Sequence, residues 1–241
     1  DDPVILTLVA RIMARRNQRN EMLAVANRML QLPPSALTFC ALGEIARSLG
    51  QKEDAITMLQ KSLDMHPLPA AFEALIELVL PGPGYLKALE LAHTLLTPKC
   101  YLEIGVSNGA SWKHASQSER VIGIDPSDDS QRLKRPPHYE FFQTTSDEFF
   151  AKHATTTLKS QSVNFAFIDG MHIFEFALRD FLNTERYLAP GAWIALHDTV
   201  PVHSSIASRD RFTGCWTGDI WKMLHYLLQY RKDLQVQTLL L

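Results

Sequence analysis

The chain has 241 residues, 46% of them hydrophobic and 21% charged, the balance of an ordinary globular protein with ample length for a buried core. Lys plus Arg number 24 against 26 Asp plus Glu, a formal net charge of -2, so nucleic acid is not expected as a partner. The longest apolar runs, such as Val4-Ile5-Leu6, span only a few residues where a bilayer requires ~20, so no membrane partner is expected either.

The chain opens Asp1-Asp2-Pro3, without the charged-then-apolar pattern of a signal peptide. The missing initiator Met points to a processed or excised chain. Cys40, Cys100 and Cys215 are odd in number and far apart. They read as reduced thiols of a cytoplasmic protein and exclude a disulfide scaffold or a Cys-based zinc site.

Residues 1–97 read as helices alone. Pro33-Pro34, Gly50, Pro67, Pro69 and Pro81-Gly82-Pro83-Gly84 separate segments of 11 to 16 residues, lengths suited to paired helices. Counted from Ala36 as position 1, Phe39, Gly43, Ala46, Gly50, Ala55, Leu59, Ser62 and Pro67 fall at positions 4, 8, 11, 15, 20, 24, 27 and 32. This pattern resembles the tetratricopeptide repeat, in which small residues let two antiparallel helices approach and Pro ends the second. Residues 3–31 and 69–97 have the length and apolar spacing of flanking helix pairs, but fit the repeat poorly. Such a helical module packs, binds a protein partner or self-associates, because no cluster of titratable groups occurs in it. The alternative is a generic helical bundle.

At Lys99 the pattern changes. Short β-rich runs follow at 100–105, 121–125, 139–142, 163–169 and 192–198, separated by helical stretches at about 109–118, 146–154, 173–187 and 217–230. Alternating strands and helices predict an α/β, Rossmann-like, doubly wound and mostly parallel sheet, here assigned to residues 98–241. In open sheets of this kind the ligand lies at the carboxyl ends of the strands.

Glu103-Ile-Gly105-Val-Ser107-Asn-Gly109 closes the first of these strands. Gly105 permits a tight turn, and Gly109 admits the next helix close to a ligand. Asp125, at the end of the second strand, can accept both hydroxyls of a ribose. A glycine turn followed by an acid at the second strand tip is the general mark of an adenosine-containing cofactor. The spacing is G-x-x-x-G with an acid two residues before it, not the G-x-G-x-x-G that presents a helix N-terminus to pyrophosphate. That acid suits a ligand bearing an ammonium or sulfonium centre, so S-adenosylmethionine is favoured over NAD.

On these motifs, with Ile168–Asp180 and Leu188–Thr199, residues 99–198 resemble a class I S-adenosylmethionine-dependent methyltransferase. Within the class they are similar to metal-dependent O-methyltransferases of the catechol and macrolide-sugar types. The resemblance implies that Gly105, Ser107 and Gly109 pass under the methionine part, and that Glu103 orients their turn. It implies further that Asp125 binds the ribose, and that Ser146 or Asp147 flanks the adenine. Ser146 reads equally as a helix N-cap.

Asp169 and Asp198 end the fourth and fifth strands, where two adjacent carboxylates repel unless a cation sits between them. Oxygen ligands favour Mg²⁺, or Mn²⁺ or Ca²⁺, over zinc. Such a cation lowers the pKa of a substrate hydroxyl. Where the catechol enzymes place Asn as third ligand, this chain has Thr199. Where the macrolide enzymes place an acid before the last Asp, it has His197. His172 and His197 therefore compete for the roles of metal ligand and general base, with His172 the better placed for catalysis beside Asp169.

Residues 199–216 read as a polar active-site lid, leading into Trp216-Thr-Gly-Asp219-Ile-Trp221-Lys222. Lys222 can reach a substrate or cofactor carboxylate, and it reads equally as a surface Lys. A sixth strand is expected at 234–240. The sequence thus predicts O-methylation of a hydroxyl on a sugar or small-molecule metabolite, assisted by a divalent cation. The alternative is a non-catalytic interaction protein with a degenerate nucleotide-binding domain.

Overall fold

A computed structural model describes residues 2–129, 135–160, 162–212 and 214–240. Two compact units emerge, Asp1–Gly82 with Pro201–Trp216, and Pro83–Val200 with Thr217–Leu239. The boundary read from sequence, after residue 97, falls inside the second unit.

The first unit holds α1 (Pro3–Arg15), α2 (Arg19–Met29), α3 (Ala36–Ser48), α4 (Lys52–Met65) and α5 (Pro69–Val79). Caps set two of their starts. The Asp2 carboxylate accepts the Val4 N–H at 2.8 Å, and the Ser35 hydroxyl accepts that of Thr38 at 3.1 Å, removing orphan donors of the first turn. Gly50, at φ +77°, follows the end of α3. Close approach of α3 and α4 depends on Gly43, where a Cβ would lie 2.7 Å from Cγ of Leu59. Ser62 on α4 donates to the Ala36 carbonyl at 2.7 Å.

Part of the stretch expected as a lid is packed, while Arg209–Phe212 are exposed. Ile206 is buried among Leu59, Leu63, Phe72 and Leu75, and the His203 ring stands edge-on to Phe72. Three apolar positions, Val202, Ile206 and Cys215, join that core, which a reading centred on the polar majority of the stretch passes over.

The second unit holds α6 (Tyr85–Leu96), β1 (Cys100–Ile104), a 3-10 helix (Ser111–Gln117), β2 (Arg120–Asp125), β3 (Tyr139–Gln143), α7 (Ser146–Lys152), α8 (Ala154–Thr157), β4 (Val163–Ile168), α9 (Phe174–Glu185), β5 (Leu188–Leu196) and α10 (Trp221–Tyr230). All its strand pairings are parallel, in the order β3-β2-β1-β4-β5. Strand residues alternate between two cores. Leu102, Ile104, Ile122 and Ala166 pack with Phe149, Phe181 and Met223 of α7, α9 and α10. Tyr101, Val121, Phe165 and Phe167 pack with Leu89 of α6 and with Trp112. Helical elements on both faces make this the doubly wound, Rossmann-like fold that the alternation of strands and helices predicts. Each of these buried Val, Leu, Ile, Phe and Met side chains contributes ~1.5–3 kcal/mol against conformational entropy of similar total size.

Two local expectations differ from the structure. The helix read at 109–118 is a 3-10 helix, and the described residues of 234–240 form no strand. Leu234 and Val236 nevertheless pack against the sheet's core. Alternating apolar positions there satisfy burial without a ladder partner.

Candidate functional site

The strand order reverses between β1 and β4, and ligands of open sheets bind at such a switch point. The backbone after β1 is left-handed at Gly105 (φ +90°), Ser107 (φ +48°) and Gly109 (φ +72°). A Cβ on Gly105 would lie 2.0 Å from the carbonyl oxygen of Asp169, so glycine is what lets the β1 and β4 tips meet backbone to backbone. Asp125, at the tip of β2, accepts the Ser107 N–H and the Ser127 N–H at 2.8 Å each. It thereby fixes the glycine turn, and its remaining lone pairs stay available to hydroxyl donors.

Glu103 is fully buried. Tyr101 donates to one of its oxygens at 2.8 Å and Ser111 to the other. Burial pushes its carboxyl up to about 8 against those two hydrogen bonds. In this geometry Glu103 anchors the turn from beneath, linking β1 to the 3-10 helix.

Beyond β4 and β5 four side chains converge. His172 Nε2 lies 3.2 Å from Asp169 Oδ1, and its Nδ1 lies 3.5 Å from Asp198 Oδ2. His197 Nδ1 lies 3.2 Å from Asp169 and 3.4 Å from Asp198. Burial opposes a charge on His197, but the two carboxylates outweigh it and push the imidazole up to about 10. The same imidazoles hold Asp169 below the ordinary range against its own burial. Asp198 is left-handed, φ +56°, a strained conformation for a side-chain-bearing residue that tertiary contacts must maintain.

Donor atoms of Asp169, His172 and Asp198 all fall within 4.8 Å of one another. Two carboxylates and one imidazole fit a divalent cation of the Mg²⁺ or Mn²⁺ kind. Sequence reasoning placed His197 in this set, whereas the clustered donors include His172.

The other expected residues make contacts of their own. Thr145, not Ser146, caps α7, accepting the Glu148 N–H at 3.2 Å. Ser146 instead bonds Asp180, whose carboxyl is pushed up to about 6 by burial and by the charge of Asp147. Asp147 pairs bidentately with Arg179 at 2.7 and 2.9 Å. Lys222 donates to Asp219 at 2.8 Å.

Sequence reasoning missed Tyr85. Its ring lies 4.3 Å from that of His197 and 6.2 Å from that of Phe167. Burial, then the carboxyls of Asp169, Glu103 and Asp198, push its phenol up. Nothing in Pro83-Gly84-Tyr85 marks that role, because a tyrosine at a helix start has no chemistry until the fold brings carboxylates to it. Ser111 and Tyr101 were equally invisible as partners of Glu103. Only Tyr101, two residues before an acid on the same strand face, offered a signal.

Among solved structures the chain is similar to one described as a caffeoyl-CoA O-methyltransferase from Staphylococcus aureus, with 15% identity and a TM-score of 0.49 over 78% of this chain and 90% of that one. It is also similar to the trans-methyltransferase CalH in complex with SAH, with 10% identity and a TM-score of 0.36 over 73% of this chain and 52% of that one. No curated protein matches the sequence. It is over residues 102–199, from the first strand to the residue after Asp198, that the chain matches a protein-family model, and the family is that of a methyltransferase domain.

Proposed function

We propose that the chain transfers a methyl group from S-adenosylmethionine to a hydroxyl of a sugar or other small-molecule metabolite, with a divalent cation assisting. The observation that carries this reading is the placement of Asp125 and the Gly105 turn on one side of the switch point and of the Asp169–His172–Asp198 donors on the other, all within the segment that matches the methyltransferase family. Asp125 would accept the ribose hydroxyls while holding the turn through Ser107. Gly105 and Gly109 let the backbone pass close to the methionine part.

Asp169, His172 and Asp198 would hold the cation. When bound, it lowers the pKa of the acceptor hydroxyl and orients its oxygen. His197, carrying its proton at neutral pH, balances the two carboxylates from the side of β5. Tyr85 fixes the His197 ring. Methyl transfer otherwise asks chiefly for alignment and removal of one proton. The helical unit, with its tetratricopeptide-like α3–α4 pair, would bind a protein partner or a second copy.

The test is transfer of labelled methyl from S-adenosylmethionine to a panel of sugar and catechol hydroxyls, with Mg²⁺ and after exhaustive EDTA treatment. Transfer that requires the cation is the expected outcome. Undiminished transfer after EDTA would remove the cation and leave His172, oriented by Asp169, to take the proton.

A further inference from the structure

The turn between β4 and α9 carries His172, and one short segment, Thr217–Asp219, meets it at His172 and again at Phe174. Gly218 is left-handed, φ +61°. A Cβ on it would lie 1.6 Å from the His172 carbonyl oxygen and 2.9 Å from the His172 Cβ. No side chain can be admitted there without displacing His172 itself. The next residue acts two positions further along the turn. α9 begins at Phe174, and its N-cap residue is Ile173, which has no side-chain acceptor for the helix's first N–H groups. Asp219 supplies the acceptor from 45 residues away, taking the Phe174 N–H on Oδ1 at 2.7 Å.

Asp219 is 2% exposed, so its charge needs compensation. The positive end of the α9 dipole contributes to it, and so does Lys222, which donates to the other oxygen at 2.8 Å. A buried carboxylate whose two oxygens each take a donor is a rigid fixture, whereas a cap exposed to water would fray.

We infer that Gly218 and Asp219 form a positioning latch for His172, packing against its own carbonyl and fixing the backbone two residues on, so that the imidazole stays 3.2 Å from Asp169 and 3.5 Å from Asp198. Lys222 then acts through Asp219 and not on substrate. The motif Trp216-Thr-Gly-Asp219 thereby acquires a reason for its glycine and its acid. The inference rests on the reading of Asp169, His172 and Asp198 as a cation site, and the experiment separates the two.

In the full chain, Mn²⁺ binding is followed by electron paramagnetic resonance, the His172 imidazole by its carbon-bound proton signal in NMR (assigned with His172→Gln), and S-adenosylhomocysteine binding by calorimetry. Asp219→Ala should weaken Mn²⁺ at least tenfold and move the His172 signal, with S-adenosylhomocysteine affinity within twofold of wild type. Asp219→Asn keeps an oxygen for the Phe174 N–H and should return Mn²⁺ affinity to within threefold. Should Asp219→Ala not fold, Asp219→Ser, a shorter cap, should show a partial loss in the same two readouts.

Wild-type Mn²⁺ affinity with an unmoved His172 signal in the Ala variant, or in the Ser variant where it replaces Ala, would overturn the latch. So would an Asn variant as weak as Ala. A wild-type chain that binds no Mn²⁺ would defeat the cation reading alone, and the His172 signal would then decide the latch by itself.

Discussion

Gly105 and Asp169 touch through their backbones: a methyl group on the first would sit 2.0 Å from the carbonyl oxygen and 2.4 Å from the carbonyl carbon of the second. The tip of β1, which leads into the glycine turn, and the tip of β4, which starts the Asp/His cluster, are therefore one mechanical piece. Gly105→Ala combines that overlap with a φ of +90° and should cost about 3 kcal/mol or more of stability. Denaturant unfolding measures the loss. A cost under about 1 kcal/mol would show that the two tips separate easily.

His197 sets an alkaline limit on stability. Its imidazole rises from 6.5 to about 10 in the folded chain, the carboxylates of Asp169 and Asp198 prevailing over burial. A group whose folded pKa is raised contributes fully below its unfolded value, and the contribution is lost as pH rises through the folded one. Metal-free protein should therefore lose stability steadily between pH 6.5 and 10. His197→Asn should be less stable at pH 6 and flatter across that window. Parallel pH profiles of wild type and variant would contradict the placement of His197 between the two acids.

His93 on α6 shows the opposite sign. Burial pushes it down from 6.5 to about 4, its ring packs edge-on against Tyr101 and Phe165, and its buried Nε2 finds no hydrogen-bond partner among the described residues. The unfolded chain takes up a proton near pH 6.5 that the folded chain resists until about 4, so stability falls as pH drops through that interval. His93→Phe should flatten the acid limb while keeping the aromatic packing. Thermal unfolding at pH 4.5 and 7 compares the two proteins, and an unchanged pH difference in the variant would rule out His93 as its source.

The sheet was legible because β-branched and aromatic runs such as Val121-Ile-Gly-Ile and Val163-Asn-Phe-Ala-Phe-Ile end in acids or glycines at regular distances. Asp125, Asp169 and Asp198 stand at strand tips for that reason, and the sequence alone located them. What it hid are relations across the chain. Asp219 caps a helix 45 residues away, Tyr85 reaches His197 from a helix assigned by sequence to the other domain, and Ile206 turns a polar stretch into core. The choice between His172 and His197 was likewise closed to sequence, because both lie next to acids and both rings come within 3.5 Å of Asp169 and Asp198 in the fold.

Asp198→Asn tests whether the proposed cofactor and cation sites are separable. It removes a carboxylate from the donor cluster and relieves repulsion between Asp169 and Asp198. Mn²⁺ binding should fall at least tenfold, while S-adenosylhomocysteine affinity stays within twofold and the fold is retained. Equal losses of both ligands would place them in a single, inseparable site.

The central claim is that the β1 and β2 tips bind S-adenosylmethionine, and calorimetric titration of S-adenosylhomocysteine into wild type and Asp125→Ala tests it most directly. Asp125 holds the glycine turn through Ser107 at 2.8 Å and would accept the ribose hydroxyls. Its loss should cost ~1.5–3 kcal/mol of binding, the worth of charge-assisted hydrogen bonds. Wild type should bind one S-adenosylhomocysteine per chain, and the variant should bind it at least tenfold more weakly. No binding to wild type, or equal affinity in the two proteins, would contradict it.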